Sequence, residues 1–147
     1  LDTSITFPVG TVSKEIEEFL HAGKVSLEKA IAQAKPGNSV YDISFAMEKP
    51  LRTKGYGVVF QLTGHGVGEQ LHMDPAIPCS PSKADKKIKL VEGQTLAIEN
   101  MYTMESPVLE EAKDGWTYVT VDGSLSGMFE ETVLVTKNGP EVLTKSN

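Results

Sequence analysis

The chain has 147 residues, 39% of them hydrophobic, which is enough for one domain, residues 1–147, built around one core. Its net charge of −6, with 14 scattered Lys and Arg residues, argues against a phosphate-binding face, so nucleic acid is not an expected partner. Cys79 is the only cysteine, and no apolar run approaches the roughly 20 residues that span a bilayer; these point to a soluble, cytoplasmic chain without a disulfide or a membrane segment.

The first residues, Leu1-Asp2-Thr3-Ser4, lack an initiator methionine and run as a strand-like stretch to Pro8, which suggests a fragment or a processed chain. From Ser13 to Ala34 the apolar positions Ile16, Phe19, Leu20, Leu27, Ala30, Ile31 and Ala34 fall at helical spacing. Ser13 is placed to cap this helix, Glu15, Glu17 and Glu18 suit its positive end, and Pro36-Gly37 is placed to stop it. Ser39 and Asp42 resemble a capping box for a second helix with Ile43, Ala46 and Met47 on its apolar face, which Pro50 is expected to end or kink.

After Gly55 the pattern changes to β-branched and aromatic runs: Val58 to Phe60, Thr95 to Thr103, Trp116 to Val121 and Met128 to Thr136. The turns between them predict a sheet that is mostly antiparallel. Residues 79 to 93 are polar and lysine-rich, and read as an exposed loop.

Chemistry concentrates at Gly64-His65-Gly66-Val67-Gly68-Glu69-Gln70-Leu71-His72-Met73-Asp74-Pro75, where two of the three histidines sit among glycines. Glycine permits close backbone approach, and imidazole supplies a metal ligand or a hydrogen bond near neutral pH. Taken alone, the pair reads equally well as ordinary loop histidines. Glu99 and Glu130, however, each lie inside an apolar strand-like run, where a buried carboxylate is costly unless it is paired or bound to metal. Alternation could turn either one to solvent; Ala97 and Met101 share the face of Glu99, and Glu130 and Glu131 must point to opposite faces. Two such glutamates, a glycine-framed histidine and the Asp-Thr-Ser stretch form an oxygen-rich donor set suited to Mn, Fe, Co or Zn hydrolytic centres. Cys79 has nothing nearby in sequence to activate a thiolate.

These motifs resemble the methionine aminopeptidase family, within the pita-bread metallopeptidases that include aminopeptidase P and prolidase. The resemblance runs from Asp2-Thr3-Ser4 through Val40-Tyr41-Asp42-Ile43, Gly64-His65-Gly66-Val67-Gly68, Ile98-Glu99, Lys113-Asp114-Gly115-Trp116-Thr117 and Ser124-Leu125-Ser126-Gly127-Met128-Phe129-Glu130 to Val133-Leu134-Val135-Thr136. It implies an α+β pita-bread fold, a curved antiparallel sheet with helices on its outer face. It implies Asp2, His65, Glu99 and Glu130 as metal ligands, Asp2 and Glu130 bridging two metals in the full family site. It also implies His72 as a hydrogen-bond donor to the substrate carbonyl, Glu99 as a proton shuttle, and Trp116 and Leu71 beside the substrate side chain. The implied reaction is removal of an amino-terminal residue, methionine above all, by a metal-activated water.

The departures from the family pattern bear on completeness and specificity. The family's other metal aspartate and a further histidine fall ahead of this chain, so at most one well-ligated metal is expected, and little activity from these residues alone. His21 does not match that histidine and reads as a solvated or helix-packing residue. Met73-Asp74 follows His72 where the family usually has a glutamate, Leu71 stands where phenylalanine is common, and Glu131 where histidine is frequent. Asp2, so near a chain end, is expected to fray unless a segment from elsewhere pairs with it. The expected partners are a peptide amino terminus and the missing amino-terminal segment. Competing readings are cleavage of Xaa-Pro bonds, a catalytically silent pita-bread protein that binds peptide, and a structural piece of a larger assembly with an open sheet edge near Leu1 to Val9.

Overall fold

The computed structural model describes residues 1–145 of the chain. Helix α1 spans Lys14–Ile31, with the Ser13 hydroxyl accepting the Ile16 amide at 3.4 Å and Glu15 and Glu17 in its first turn. It ends before the Pro36-Gly37 signal: Ala32 to Ala34 form a tighter turn whose amides bond to Glu28, Ala30 and Ile31, which still buries Ala34. Helix α2 spans Val40–Thr53, and the Asp42 carboxylate accepts both the amide and the hydroxyl of Ser39, at 2.8 and 2.7 Å.

Pro50 does not end α2, which continues past it to Thr53. Proline removes only one amide, and here it falls within the last turn, where little helix remains to be disrupted. Ser26 of α1 donates to the Met47 carbonyl, three residues ahead of that proline, at 2.7 Å and ties the two helices together.

The main sheet contains β1 (Gly57–Val58), β2 (Thr63–Gly66), β3 (Met73–Pro78), β4 (Thr95–Thr103), β7 (Ser126–Thr136) and β8 (Gly139–Val142). Its order is β3-β2-β4-β7-β8, with β1 also on β4, and every pairing is antiparallel. A separate hairpin joins β5 (Leu109–Glu111) to β6 (Tyr118–Thr120), shorter than the Trp116 to Val121 run suggests. The lysine-rich stretch is not simply an exposed loop. It contains a 3-10 turn at Lys83–Lys87, and Cys79 and Leu90 at its ends are buried in the core.

Alternation along β4 separates two faces. Asn100 and Tyr102 meet α1, with the Asn100 amide donating to the Gly23 carbonyl at 2.7 Å and the Tyr102 hydroxyl to the Phe19 carbonyl at 2.9 Å. Ala97, Glu99 and Met101 necessarily point the other way. The helices therefore cover one face of β4 and β7 and leave the other for the site.

The segment ahead of α1 pairs with β7. Ser4 exchanges backbone hydrogen bonds with Glu130, at 3.2 and 2.9 Å, and hydroxyls of Thr3 and Thr6 donate to the Glu130 and Met128 carbonyls. The partner of this segment, Asp2 included, is β7 of this same chain and not a segment from elsewhere. The outer edge of β7 thus carries this segment along its first half and β8 along its second. Leu1, Ile5, Phe7 and Val9 remain exposed.

Gly23 lies where α1 crosses Tyr102, and a Cβ there would sit 2.3 Å from the tyrosine hydroxyl and 2.7 Å from the Phe129 ring. Gly23→Ala is expected to lower stability by about 2 kcal/mol through overpacking, read from the shift of the urea unfolding midpoint.

Candidate metal centre

Three register pairs assemble the site. Glu99 stands directly opposite Glu130 in the β4–β7 ladder, so both carboxylates project from one face. His65 pairs with Ala97, two residues from Glu99, and so shares that face. Ser4 pairs with Glu130, which puts Asp2, two residues earlier, on the same face again. The Thr132 hydroxyl fixes Asp2 in this register by accepting its amide and donating to its carbonyl, both at 2.7 Å.

The histidine depends on its flanking glycines. A Cβ at Gly64 would fall 2.6 Å from the Ala97 carbonyl and 3.3 Å from the Glu99 side chain, and one at Gly66 would fall 2.2 Å from the Asp74 carbonyl. The β2–β3 register shifts between these two glycines, and such an irregularity re-aims the side chain it contains. His65 Nδ1 lies 2.9 Å from the Gly66 carbonyl. A carbonyl can only accept, so Nδ1 carries the proton and the Nε2 lone pair is left for the cluster.

Ligand atoms of Asp2, His65 and Glu130 all lie within 4.8 Å of one another. His65 Nε2 is 3.9 Å from Asp2 Oδ2 and 3.9 Å from Glu99 Oε1. Two donors about 2.0–2.2 Å from one ion lie at most about 4.4 Å apart, so the 3.9 Å separations can accommodate a shared cation.

The electrostatics point the same way. Burial, then Glu130 and then Asp2, push the Glu99 carboxyl up to about 8. Burial, then Asp2 and then Glu131, push Glu130 up to about 7. Neither carboxylate receives a hydrogen bond among the described residues, although Glu99 is 6% exposed and Glu130 3%. Buried, crowded, unpaired carboxylates beside an imidazole lone pair are a donor set that lacks a positive partner. The residues present therefore fit a divalent metal.

The other expected site residues are distributed unevenly. The His72 ring packs edge-on against His65, with centroids 4.4 Å apart. Trp116, at the tip of the β5–β6 hairpin, is 86% exposed, and no hydrogen bond or ring contact joins it to the cluster among the described residues. Leu71 is exposed and does not line the cleft beside His65 and His72. His21 is exposed on α1, as a solvated helix residue should be. Glu131 faces away from Glu130 and accepts the Thr144 hydroxyl. Burial pushes the Cys79 thiol up to about 12, which leaves it inert. Sequence reading does not single out Thr132, because its partner in holding Asp2 lies 130 residues away and nothing local signals the pairing.

The sequence profile of metallopeptidase family M24 matches residues 1–137. The chain belongs to that family. Among curated relatives, this M24 chain is 38% identical over 143 residues to a methionine aminopeptidase of Clostridium acetobutylicum, covering 97% of itself and 57% of the relative. It is 39% identical to a methionine aminopeptidase of Aquifex aeolicus, covering 98% of itself and 56% of that protein. In three dimensions it superimposes on the methionine aminopeptidase of Thermotoga maritima with a TM-score of 0.92 at 39% identity, covering 97% of this chain and 57% of that one. On the prolidase of Pyrococcus furiosus the TM-score is 0.75 at 25% identity, with 99% and 37% covered. The chain thus spans a little over half the length of the methionine aminopeptidases it matches, and the α+β pita-bread expectation holds. Among the described residues no helix is long and apolar enough to cross a membrane.

The raised carboxyls carry a sign for stability. In the metal-free chain the folded state holds protons on Glu99 and Glu130 that the unfolded chain releases near pH 4.5. Their contribution is therefore intact below pH 4.5 and is lost as the pH rises through about 7 and 8. Asp114 and Asp122, lowered to about 2 by hydrogen bonds from Thr117 and Ser124, act only below pH 4. Thermal scans without metal are expected to show melting temperature falling from pH 5 to pH 8, and added Mn²⁺ to restore it most at pH 8.

Proposed function

We propose that the complete protein removes the amino-terminal residue, methionine by preference, from peptides with a water activated by divalent metal. The observation that carries this reading is the convergence of Asp2, His65 and Glu130 within 4.8 Å in a chain of the M24 family. Asp2, His65, Glu99 and Glu130 would hold the metal, and their mixed oxygen and nitrogen donors suit Mn, Fe, Co or Zn. When bound, such an ion lowers the pKa of water enough to yield a nucleophile at neutral pH and polarises the substrate carbonyl.

The chain's own residues supply the rest. His65 keeps its Nε2 lone pair on the cluster because the Gly66 carbonyl holds its other nitrogen. Glu99 takes the water proton and passes it to the leaving amine, a task suited to a carboxyl buried beside the cluster. His72, whose ring packs edge-on against His65, would donate to the carbonyl oxygen as negative charge develops there. Leu71 and Trp116 are proposed to reach the substrate side chain only in the complete protein, since both are exposed in this chain.

Residues 1–147 would act as one catalytic unit together with a preceding segment of the same protein, in the cytoplasm. The similarity to methionine aminopeptidases, at TM-score 0.92 against 0.75 for prolidase, supports methionine removal over Xaa-Pro cleavage.

In the complete protein, His65→Ala is expected to reduce bound metal, measured by metal analysis, and to abolish hydrolysis. Glu99→Gln is expected to lower kcat on a Met-Ala peptide by about 10²-fold to 10⁴-fold. Removing metal with a chelator should stop turnover, and returning it should restore it. Faster turnover of an Ala-Pro peptide than of Met-Ala would replace this reading with the Xaa-Pro one.

A further inference from the structure

Asp2 is held at the cluster differently from the residues that follow it. The segment ahead of α1 runs antiparallel to β7 so that Asp2 faces Thr132, Ser4 faces Glu130 and Thr6 faces Met128. The middle pair exchanges main-chain hydrogen bonds. In each outer pair a threonine hydroxyl takes the place of a backbone, accepting an amide and donating to a carbonyl of the residue opposite. Thr132 does this for Asp2, at 2.7 Å in both directions, and Thr6 for Met128, at 2.9 and 2.8 Å.

The main chain of Thr132 is engaged elsewhere. Its amide donates to the Thr144 hydroxyl at 2.9 Å, and its carbonyl accepts the Leu143 amide at 2.8 Å. The edge of β7 therefore changes partner at this residue, from the segment ahead of α1 to the residues after β8. Both main-chain groups of Asp2 end on the hydroxyl of a fully buried threonine. A hydroxyl that gives its proton to one group and accepts from another is directional at both ends, so it fixes the Asp2 backbone in place. Aspartate is the shorter of the two acids, and its carboxylate cannot make up for a displaced main chain as a glutamate's could.

We propose that Thr132 is a positioning residue for the metal centre: its hydroxyl holds Asp2 where the carboxylate shares an ion with His65 and Glu130, and so sets metal affinity. The proposal rests on the reading of Asp2, His65, Glu99 and Glu130 as metal ligands, and adds a residue that touches no ion. Loss of the hydroxyl would leave the Asp2 amide and carbonyl without their partner, and water would compete to draw that end of the segment off β7. Partners that orient metal ligands typically govern affinity by about tenfold to hundredfold, and an effect at the lower end is expected from a hold on the main chain.

The test measures Mn²⁺ affinity of the complete protein by calorimetric titration, with thermal melts of the metal-free variants to show that each is folded. Thr132→Val keeps the branched shape without the hydroxyl, and is expected to weaken Mn²⁺ binding by about tenfold. Thr132→Ser restores the hydroxyl and is expected to bind as the wild type does. Thr6→Val removes the matching pair of hydrogen bonds at the far end of the same segment, and is expected to lower the melting temperature without changing Mn²⁺ affinity. Wild-type affinity in Thr132→Val, or equal losses in Thr132→Ser or Thr6→Val, would overturn the proposal. Failure of Thr132→Val to fold would assign the hydroxyl to the fold and overturn it as well. A wild type that binds no Mn²⁺ would instead sink the metal reading beneath it, a result separate from any comparison among the variants.

Discussion

Two glutamates facing each other across adjacent strands constrain this molecule more than any other pair. The β4–β7 ladder sets Glu99 opposite Glu130 with only a few per cent of either exposed. Like charges in that position destabilise a sheet, and burial makes the repulsion stronger. A fold keeps such an arrangement when something positive is meant to enter it. The glycines around His65 and the hydroxyl clamp on Asp2 then become intelligible, because each brings one more donor to the same point.

That arrangement also explains the division of labour between the sheet's faces. The helix side is conventional: Phe19, Ile98, Tyr102 and Phe129 are buried there, and the polar atoms that cross it, on Asn100 and Tyr102, are satisfied by carbonyls of α1. The apolar contacts of that face hold the ladder in register. Register in turn decides whether the carboxylates meet, since a slip of one residue would carry Glu99 to the helix side.

Much of this was legible in the sequence. Helical spacing from Ile16 to Ile31 reports a buried stripe, and Ser13, Ser39 and Asp42 mark the helix starts by chemistry that acts over three residues. The glutamates were visible as charges inside apolar runs. The features that escaped depend on distant partners. Residues near the chain start could not reveal that β7 would hold them, because the hydrogen bonds cross about the whole length of the chain. Pro50 signals a helix end by a local rule, which does not count how little helix follows it. Cys79 and Leu90 bracket a lysine-rich stretch whose composition describes its middle and not its anchored ends.

The segment from Leu1 to Val9 completes the centre and at the same time moves the sheet's boundary outward. Ser4 faces β7 with both of its backbone groups, so the amides of Thr3 and Ile5 turn the opposite way. Beside them lie the exposed side chains of Leu1, Ile5 and Phe7. The segment that carries Asp2 to the cluster therefore also forms an open rim, with hydrogen-bonding groups and apolar side chains arrayed for one more strand. The open edge and the position of Asp2 are consequently tied to the same few residues: a change that disturbs the pairing of this segment with β7 would expose more of the edge and shift Asp2 together.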